Sequence, residues 1–368
     1  MSDSLKIRGK EDNVEYMRFI KSLILPVFTI FLLIALITAG YFLFLIKPNP
    51  APVSDSAAVN VTPEAMEVVV EVKVLAFGDL LLDRYIKKAI DKYGSDYPFK
   101  NIKSLLVGND LTLANLEGAF TDFKPRPIDP NNISFTFDPQ LLPAIKEAGF
   151  NIFSLANNHS QDFGRQGFSQ SQAYLDANGI DYFGTFSNDG KISLVKNVKG
   201  LRFGFVGYNE FGNSAKGVIA EIKRIKPEVD CIIVFAHWGV EYKTNFSRDQ
   251  EQIGRQFIDA GADIVLGSHP HVIQPIEIYK NRIIFYSLGN FVFDQIFSPD
   301  VTQGLGVGII FAKNEIEFNL FPMQLKNFQA NLANKESGGT ILKDIAKRSI
   351  VSENVKNQII AGKITISL

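Results

Sequence analysis

Hydrophobic and polar positions change rhythm along the chain, and the changes divide it. From Ser22 to Ile46 no residue is charged and most are Leu, Ile, Phe, Val or Ala. At ~1.5 Å rise per residue this run crosses a hydrocarbon core of ~30 Å, so it predicts a transmembrane helix, with Pro26 tolerated in its first turn. Residues 47–66, rich in proline and small polar residues without an apolar period, predict an extended spacer. Beyond Glu67, short β-rich apolar runs alternate with amphipathic stretches. Strands are expected at Val68–Ala76, Leu111–Ala114, Ile152–Leu155, Leu201–Val206, Cys231–Phe235 and Ile264–Leu266. Helices are expected at Leu82–Tyr93, Pro139–Ala148, Gly164–Asn178, Lys216–Lys226 and Asp249–Ala260. Four further strands follow with only turns between them: Val272–Tyr279, Arg282–Ser287, Gly304–Phe311 and Glu315–Phe321. That order implies an α/β domain over 67–330 with a mixed sheet or a second sheet. Residues 331–368 read as a helix around Ile341–Ser349 and a polar tail, packed on the outside.

Charge adds an orientation. Lys6, Arg8, Lys10, Arg18 and Lys21 precede the apolar run, whereas after Lys47 the next basic residue is Lys73. The positive side faces the cytoplasm, so residues 1–21 form a cytoplasmic tail and the main domain is expected outside a cell membrane crossed once. A cleaved signal peptide is the competing reading, but its apolar region is normally only about 7 to 15 residues. Lys and Arg number 38 against 39 Asp and Glu, which leaves no basic excess and makes nucleic acid an unexpected partner. The one cysteine, Cys231, excludes an intrachain disulfide and a thiolate zinc site, so a metal here must use His, Asp, Glu or Asn.

The chain has four histidines, and all stand at the ends of strand-like runs: His159, His237, His269 and His271. Asp79 and Glu117 close two more such runs. Ligands of open α/β sheets gather outside the carboxyl ends of strands, which brings these six to one crevice. Carboxylates at the rim of a core are costly unless paired or bound to a cation, and imidazole with carboxylate and carboxamide suits Mn²⁺, Fe²⁺ or Zn²⁺. His269 and His271, two apart, would share a side if extended and could serve two neighbouring ions. Singly, each residue also reads as a turn, a cap or a hydrogen-bonded structural group. Trp238 reads as packing or as a pocket wall, and Cys231 as a small core residue.

The blocks FGDLLLDR at Asp79, ANLEGAFTD at Glu117, LANNHSQDFG at His159, FAHWGVEY at His237, GADIVLGSHPHVIQPIE at His269 and His271, and YSLGNFVFD at Asn290 resemble the CapA family. Its members are bacterial capsule and poly-γ-glutamate synthesis proteins, with a domain of the calcineurin-like metallophosphoesterase superfamily. The resemblance runs from about Val68 to Phe328. It implies a two-sheet α-β-β-α sandwich and a centre of two divalent ions. Glu117 would bridge them, with Asp79 and His271 on one ion and Asn158, His237 and His269 on the other. His159 would be the acid that protonates a leaving oxygen. Asp162, Glu241 and Asn290 would orient histidine rings, the alternative being loop caps and turns. Arg84 would meet an anionic substrate or pair with a nearby carboxylate. The superfamily usually has Asp-x-His on the first strand, where this chain has Leu81, and Asp rather than Glu as the bridge. The implied partners are an anionic polymer or phosphoester substrate, the lipid bilayer and membrane-bound synthase subunits. The implied role is synthesis, export or attachment of the polymer, by metal-assisted hydrolysis or by binding and assembly; a general surface phosphoesterase is the more distant option.

Overall fold

In a computed structural model, the described residues are 71–129, 133–313 and 315–367. The expected tail, membrane helix and spacer lie outside them. Among the described residues no helix is long and apolar enough to cross a membrane. The described residues belong to one compact unit.

Two mixed sheets face each other. In the first, β1 (Val72–Leu80) pairs in parallel with β2 (Leu111–Leu116), which continues through β3 (Ile152–Ser154) to β4 (Asp181–Phe183). The second is built on parallel β6 (Leu201–Asn209), β7 (Cys231–His237) and β8 (Ile264–Ser268), with β5 (Ser193–Val198) antiparallel at one edge. At its other edge the hairpin of β9 (Ile276–Tyr279) and β10 (Arg282–Phe285) closes the sheet. The returning strands go back to the first sheet: β11 (Asn290–Val292) joins β1 in parallel, β12 (Gln303–Phe311) pairs antiparallel with β1, β13 (Glu315–Lys326) antiparallel with β12, and β14 (Gln329–Leu332) antiparallel with β13.

Strand alternation explains the layering. Val72, Val74 and Ala76 of β1 meet Ile233, Phe235, Ile264 and Leu266 of the second sheet in one inter-sheet core. The intervening Leu75 and Phe77 point outward, against Ile86 and Ile90 of α1 (Arg84–Tyr93). On the far side Ile232, Val234 and Val265 pack on Val218 and Ile222 of α3 (Ala215–Ile225) and Phe257 of α4 (Arg248–Ala260). Between α1 and α3 in sequence, α2 (Gly164–Ala177) buries Phe168 and Leu175 on the first sheet's outer face. With both faces of each sheet covered, β7 is buried at every position, which is why it reads as a continuous apolar run. Each fully buried Ile, Val or Phe contributes ~1.5–3 kcal/mol, so three such layers leave the sheet ends rigid enough to hold a site.

The C-terminal reading is corrected. Helix α5 (Lys335–Arg348) carries Ile341, Leu342, Ile345 and Ala346 into the inter-sheet core, and after α6 (Glu353–Ile360) the last strand β15 (Lys363–Ser367) pairs with β13 and buries Ile364 and Ile366. The segment fills the open end of the sandwich instead of lying outside it. The spacing Ile341, Leu342, Ile345 already marks an apolar stripe. The strand expected at Val272–Tyr279 begins only at Ile276. Pro275, just before it, has no N–H for a ladder.

One close approach fixes the site end of β1. Asp79 N–H donates to Gly289 O at 3.1 Å, and a Cβ on Gly78 would sit 1.9 Å from that same oxygen. Gly78→Ala is therefore expected to push β11 away from β1, costing ~3 kcal/mol. A denaturant midpoint equal to wild type would contradict this.

Candidate metal centre

The carboxyl ends of strands from both sheets deliver the site. Asp79 lies near the end of β1, Glu117 one residue past β2, Asn158 and His159 in the turn after β3, His237 at the end of β7, and His269 and His271 just past β8. Asp79, Glu117, His159, His237, His269 and His271 are all buried and Asn158 is half-buried.

The side chains fall into two groups. In the first, His237 Nε2 lies 2.8 Å from Asn158 Oδ1 and 3.2 Å from His269 Nδ1. In the second, His271 Nε2 lies 3.6 Å from Glu117 Oε1, and His271 Nδ1 lies 3.3 Å from Asp79 Oδ2. Asp79 also reaches the first group: its Oδ2 accepts from His269 N–H at 3.2 Å, and its Oδ1 is 3.9 Å from His237 Nδ1.

Partners behind the rings fix which nitrogens face inward. Asn290 donates through Nδ2 to Val301 O and Gln295 Oε1, so its Oδ1 accepts from His271 Nδ1 at 2.9 Å and leaves Nε2 with a lone pair. His237 Nδ1 stands 3.0 Å from Ser268 Oγ, its register partner on β8. These orienting contacts are the kind that raise ligand basicity in metal sites. His159 Nδ1 lies 2.9 Å from Asp162 Oδ2, a carboxylate that also accepts from Phe135 N–H at 2.8 Å.

Electrostatics favour a cation. Burial pushes the Glu117 carboxyl well above its usual range, and the neighbouring Asp79 charge pushes the same way. Burial acts upward on Asp79 as well, but the hydrogen bond and charge of His271, with His237 behind, hold it below the ordinary carboxylate range. Burial followed by His269 keeps His237 well below the usual imidazole value; burial followed by His271 brings His269 down to about 4. Both rings are thus neutral near pH 7 and offer lone pairs. Two buried carboxylates side by side need a proton or a cation between them, and nitrogen and oxygen donors without thiolate suit a borderline divalent ion. The residues fit such a group.

The His-Pro-His segment is not extended. His269 has φ +92° and His271 φ +58°, values that L residues adopt at a cost of ~1–3 kcal/mol, and the rings sit 6.0 Å apart by centroid. The shared side expected from spacing two arises from a tight turn around Pro270 instead.

The weaker expectations separate. Asn290 and Asp162 each orient a histidine, as described. Glu241 is exposed, yet its carboxylate and one nitrogen each of His269 and His271 lie within 4.8 Å of one another. Arg84, the first residue of α1, has φ +54° and pairs with Asp294, a nearly buried carboxylate, while its guanidinium lies over Phe135 at 4.8 Å and Phe293 at 5.8 Å. Its buried Nε has no hydrogen-bond partner among the described residues. Trp238 is packing: it is buried, donates to Tyr286 O at 2.8 Å and stacks near Phe257. Cys231 sits in the inter-sheet core.

Asn115 and Asn157 escaped the sequence reading. Asn115 is fully buried, donates to Asp79 Oδ1 at 2.8 Å and lies 3.2 Å from His237 Nδ1; Asn157 donates to Asn115 Oδ1 at 3.0 Å and accepts from His159 N–H. The signal was present in LTLANLE: a carboxamide inside an apolar strand, two residues from Glu117 and so on its face.

The capsule biosynthesis protein CapA of Bacillus anthracis is 35% identical over 242 residues, 59% of each chain, so the match spans under two thirds of that relative's length. The PGA biosynthesis protein CapA of Bacillus subtilis (strain 168) is 28% identical over 313 residues, covering 79% of this chain and 81% of the relative. Among solved structures, a hypothetical protein from Thermus thermophilus aligns with TM-score 0.40 and 17% identity over 70% of this chain and 96% of that one. The family profile described as bacterial capsule synthesis protein PGA_cap matches residues 73–295, a span that contains every residue of the site described above, and the chain belongs to that family.

Proposed function

We propose that this chain is a membrane-anchored, extracytoplasmic protein of CapA type. In this reading it acts in the synthesis, export or attachment of an anionic surface polymer, poly-γ-glutamate or capsule. Two divalent cations, Mn, Fe or Zn, are held by Asp79, Glu117, Asn158, His237, His269 and His271. Support comes from the family, from relatives named for capsule and PGA biosynthesis, and from the apolar run before Lys47. The observation that carries the cation reading is the convergence of His237 Nε2, His269 Nδ1 and Asn158 Oδ1 beside two buried carboxylates.

When bound, such cations reverse the negative field of the site and polarise a phosphoryl oxygen. The chain's own groups do the rest. Asp79 and Glu117 supply the charge that retains the ions. Arg84, braced by Asp294 and two phenylalanine rings, offers an anion its remaining N–H groups. His159 holds a proton at Nε2, with Asp162 on Nδ1 stabilising the imidazolium. In hydrolysis water adds to phosphorus and releases a proton to solvent, the bond to the leaving oxygen breaks, that oxygen takes the proton from His159 Nε2, and the ring is reprotonated from solvent.

The test uses the full chain purified in detergent, its metal content and a screen of phosphomonoesters, phosphodiesters and γ-glutamyl peptides. Stoichiometric transition metal with turnover of one class is expected. Metal with tight polymer binding and no turnover would make the protein an assembly subunit, and absence of stoichiometric metal would reject the cation reading.

A further inference from the structure

We infer that Glu241 is a direct ligand of the cation assigned to Asp79, Glu117 and His271, closing a side that no imidazole from the first strand covers. This rests on the two-cation reading above. Leu81, at the place where an imidazole would be expected by resemblance, lies fully buried in the apolar core between the first sheet and its helices, so β1 gives that ion Asp79 alone.

Three observations place Glu241 there. The first is proximity: its carboxylate converges with His269 and His271 within 4.8 Å. Second, the loop that carries it is tied to the histidine turn, because the next residue, Tyr242, donates its backbone N–H to Pro270 O at 2.8 Å, between the two rings. The third is a chain of side-chain hydrogen bonds that ties the same loop to the His271 ring. The hydroxyl of Tyr242, the residue next to Glu241, accepts from Gln295 Nε2 at 3.1 Å. Gln295 Oε1 in turn accepts from Asn290 Nδ2 at 3.2 Å, and Asn290 Oδ1 accepts from His271 Nδ1 at 2.9 Å. The chain therefore begins at the neighbour of Glu241 and ends on the ring whose Nε2 faces the ion.

An exposed glutamate ordinarily surrenders several rotamers' worth of entropy when it is held in one place. Here Tyr242, Gln295 and Asn290 hold the loop that carries it, and the same asparagine sets the tautomer of His271. A carboxylate in that place, facing one ring nitrogen each of His269 and His271, has the donor chemistry of a hard-to-borderline divalent ion. Because it is the one solvent-exposed member of the set, it also sits where a substrate oxygen would enter.

The experiment takes the chelator-stripped full chain and titrates it with Mn²⁺ alone, following heat of binding and the low-temperature electron paramagnetic resonance signal. Wild type is expected to take two ions and show the signal of a spin-coupled pair. Glu241→Gln should keep one tight ion, bind the second at least tenfold more weakly and lose the coupled signal; Glu241→Asp should fall between. Equal melting temperatures of wild type and Glu241→Gln in chelator establish that the fold is intact. Two ions bound by Glu241→Gln with both affinities within twofold of wild type would overturn the inference while leaving the two-cation reading standing. Wild type taking up fewer than two ions would overturn both.

Discussion

With Glu117 replaced by glutamine, the metal-free protein is expected to melt a few degrees higher than wild type at neutral pH and to gain nothing from added divalent cations. Both halves follow from one carboxylate. Glu117 is 1% exposed, and burial together with the Asp79 charge raises its pKa well above the usual value. For an acid raised in the folded state, the unfolded chain ionises first as pH climbs. The penalty on folding therefore accrues from the ordinary glutamate range near 4.5 upward and is fully present above the folded pKa. Glutamine removes that penalty, keeps the shape and can donate to the His271 Nε2 that stands 3.6 Å from Glu117 Oε1. At pH 4 the difference between the two proteins in chelator should vanish. The cation half is larger. Two ions, each at 100 times its Kd, stabilise by ~5.4 kcal/mol, which corresponds to roughly 8–9 °C in a domain of about 300 residues. Without the carboxylate placed between the two groups, that shift should be lost. Thermal melts with EDTA and with Mn²⁺, at pH 7.5 and pH 4, read all of this. A variant that melts below wild type in EDTA would mean that Glu117 is held by native hydrogen bonds in its ionised form, contrary to its surroundings.

The sequence exposed this centre because its residues had to break the apolar pattern at strand ends. Asp79, Glu117, His237 and His269 each follow a run that otherwise fills a core, and a charged or titratable group there has few structural reasons to exist. The long strands and amphipathic helices were legible for the same reason, through periodicities of 2 and 3.6. Asp181–Phe183, Asn290–Val292 and Gln329–Leu332 were not: three or four residues carry no measurable period, and their pairing is decided by neighbours distant in sequence. The turn at Ser268–His271 was illegible too. Positive φ at two histidines is imposed by tertiary contacts such as Asp79 accepting from His269 N–H, and local propensity opposes it. Arg84 shows the remaining gap. Its reach across 210 positions to Asp294 could be read from neither residue, because only the closure of β11 onto β1 brings them together.

His159 offers the sharpest separation between chemistry and architecture. Its Nε2 is 4.0 Å from Glu117 Oε1, at the edge of the metal groups, and its Nδ1 is committed to Asp162, so it faces the site without being needed to hold an ion. His159→Asn is expected to leave Mn²⁺ uptake unchanged and to lower turnover by about 10²- to 10⁴-fold, the usual contribution of a placed general acid. The size of the loss should depend on the leaving group. An alkoxide leaves only with a proton, so alkyl esters should suffer the full loss; a nitrophenolate leaves unaided, and its esters should retain most of the wild-type rate. Asp162→Asn removes the partner that stabilises the imidazolium and should give the same selectivity with a smaller loss, ~10- to 100-fold. A structural role predicts something else. His159 packs on Phe135 at 4.3 Å between centroids, and Phe135 is in turn covered by Arg84, so a collapse of that stack would disturb every substrate equally and shift the melting temperature. Equal losses on alkyl and nitrophenyl esters, or a lowered Mn²⁺ count in His159→Asn, would remove the proton-donor role and leave His159 as part of the wall.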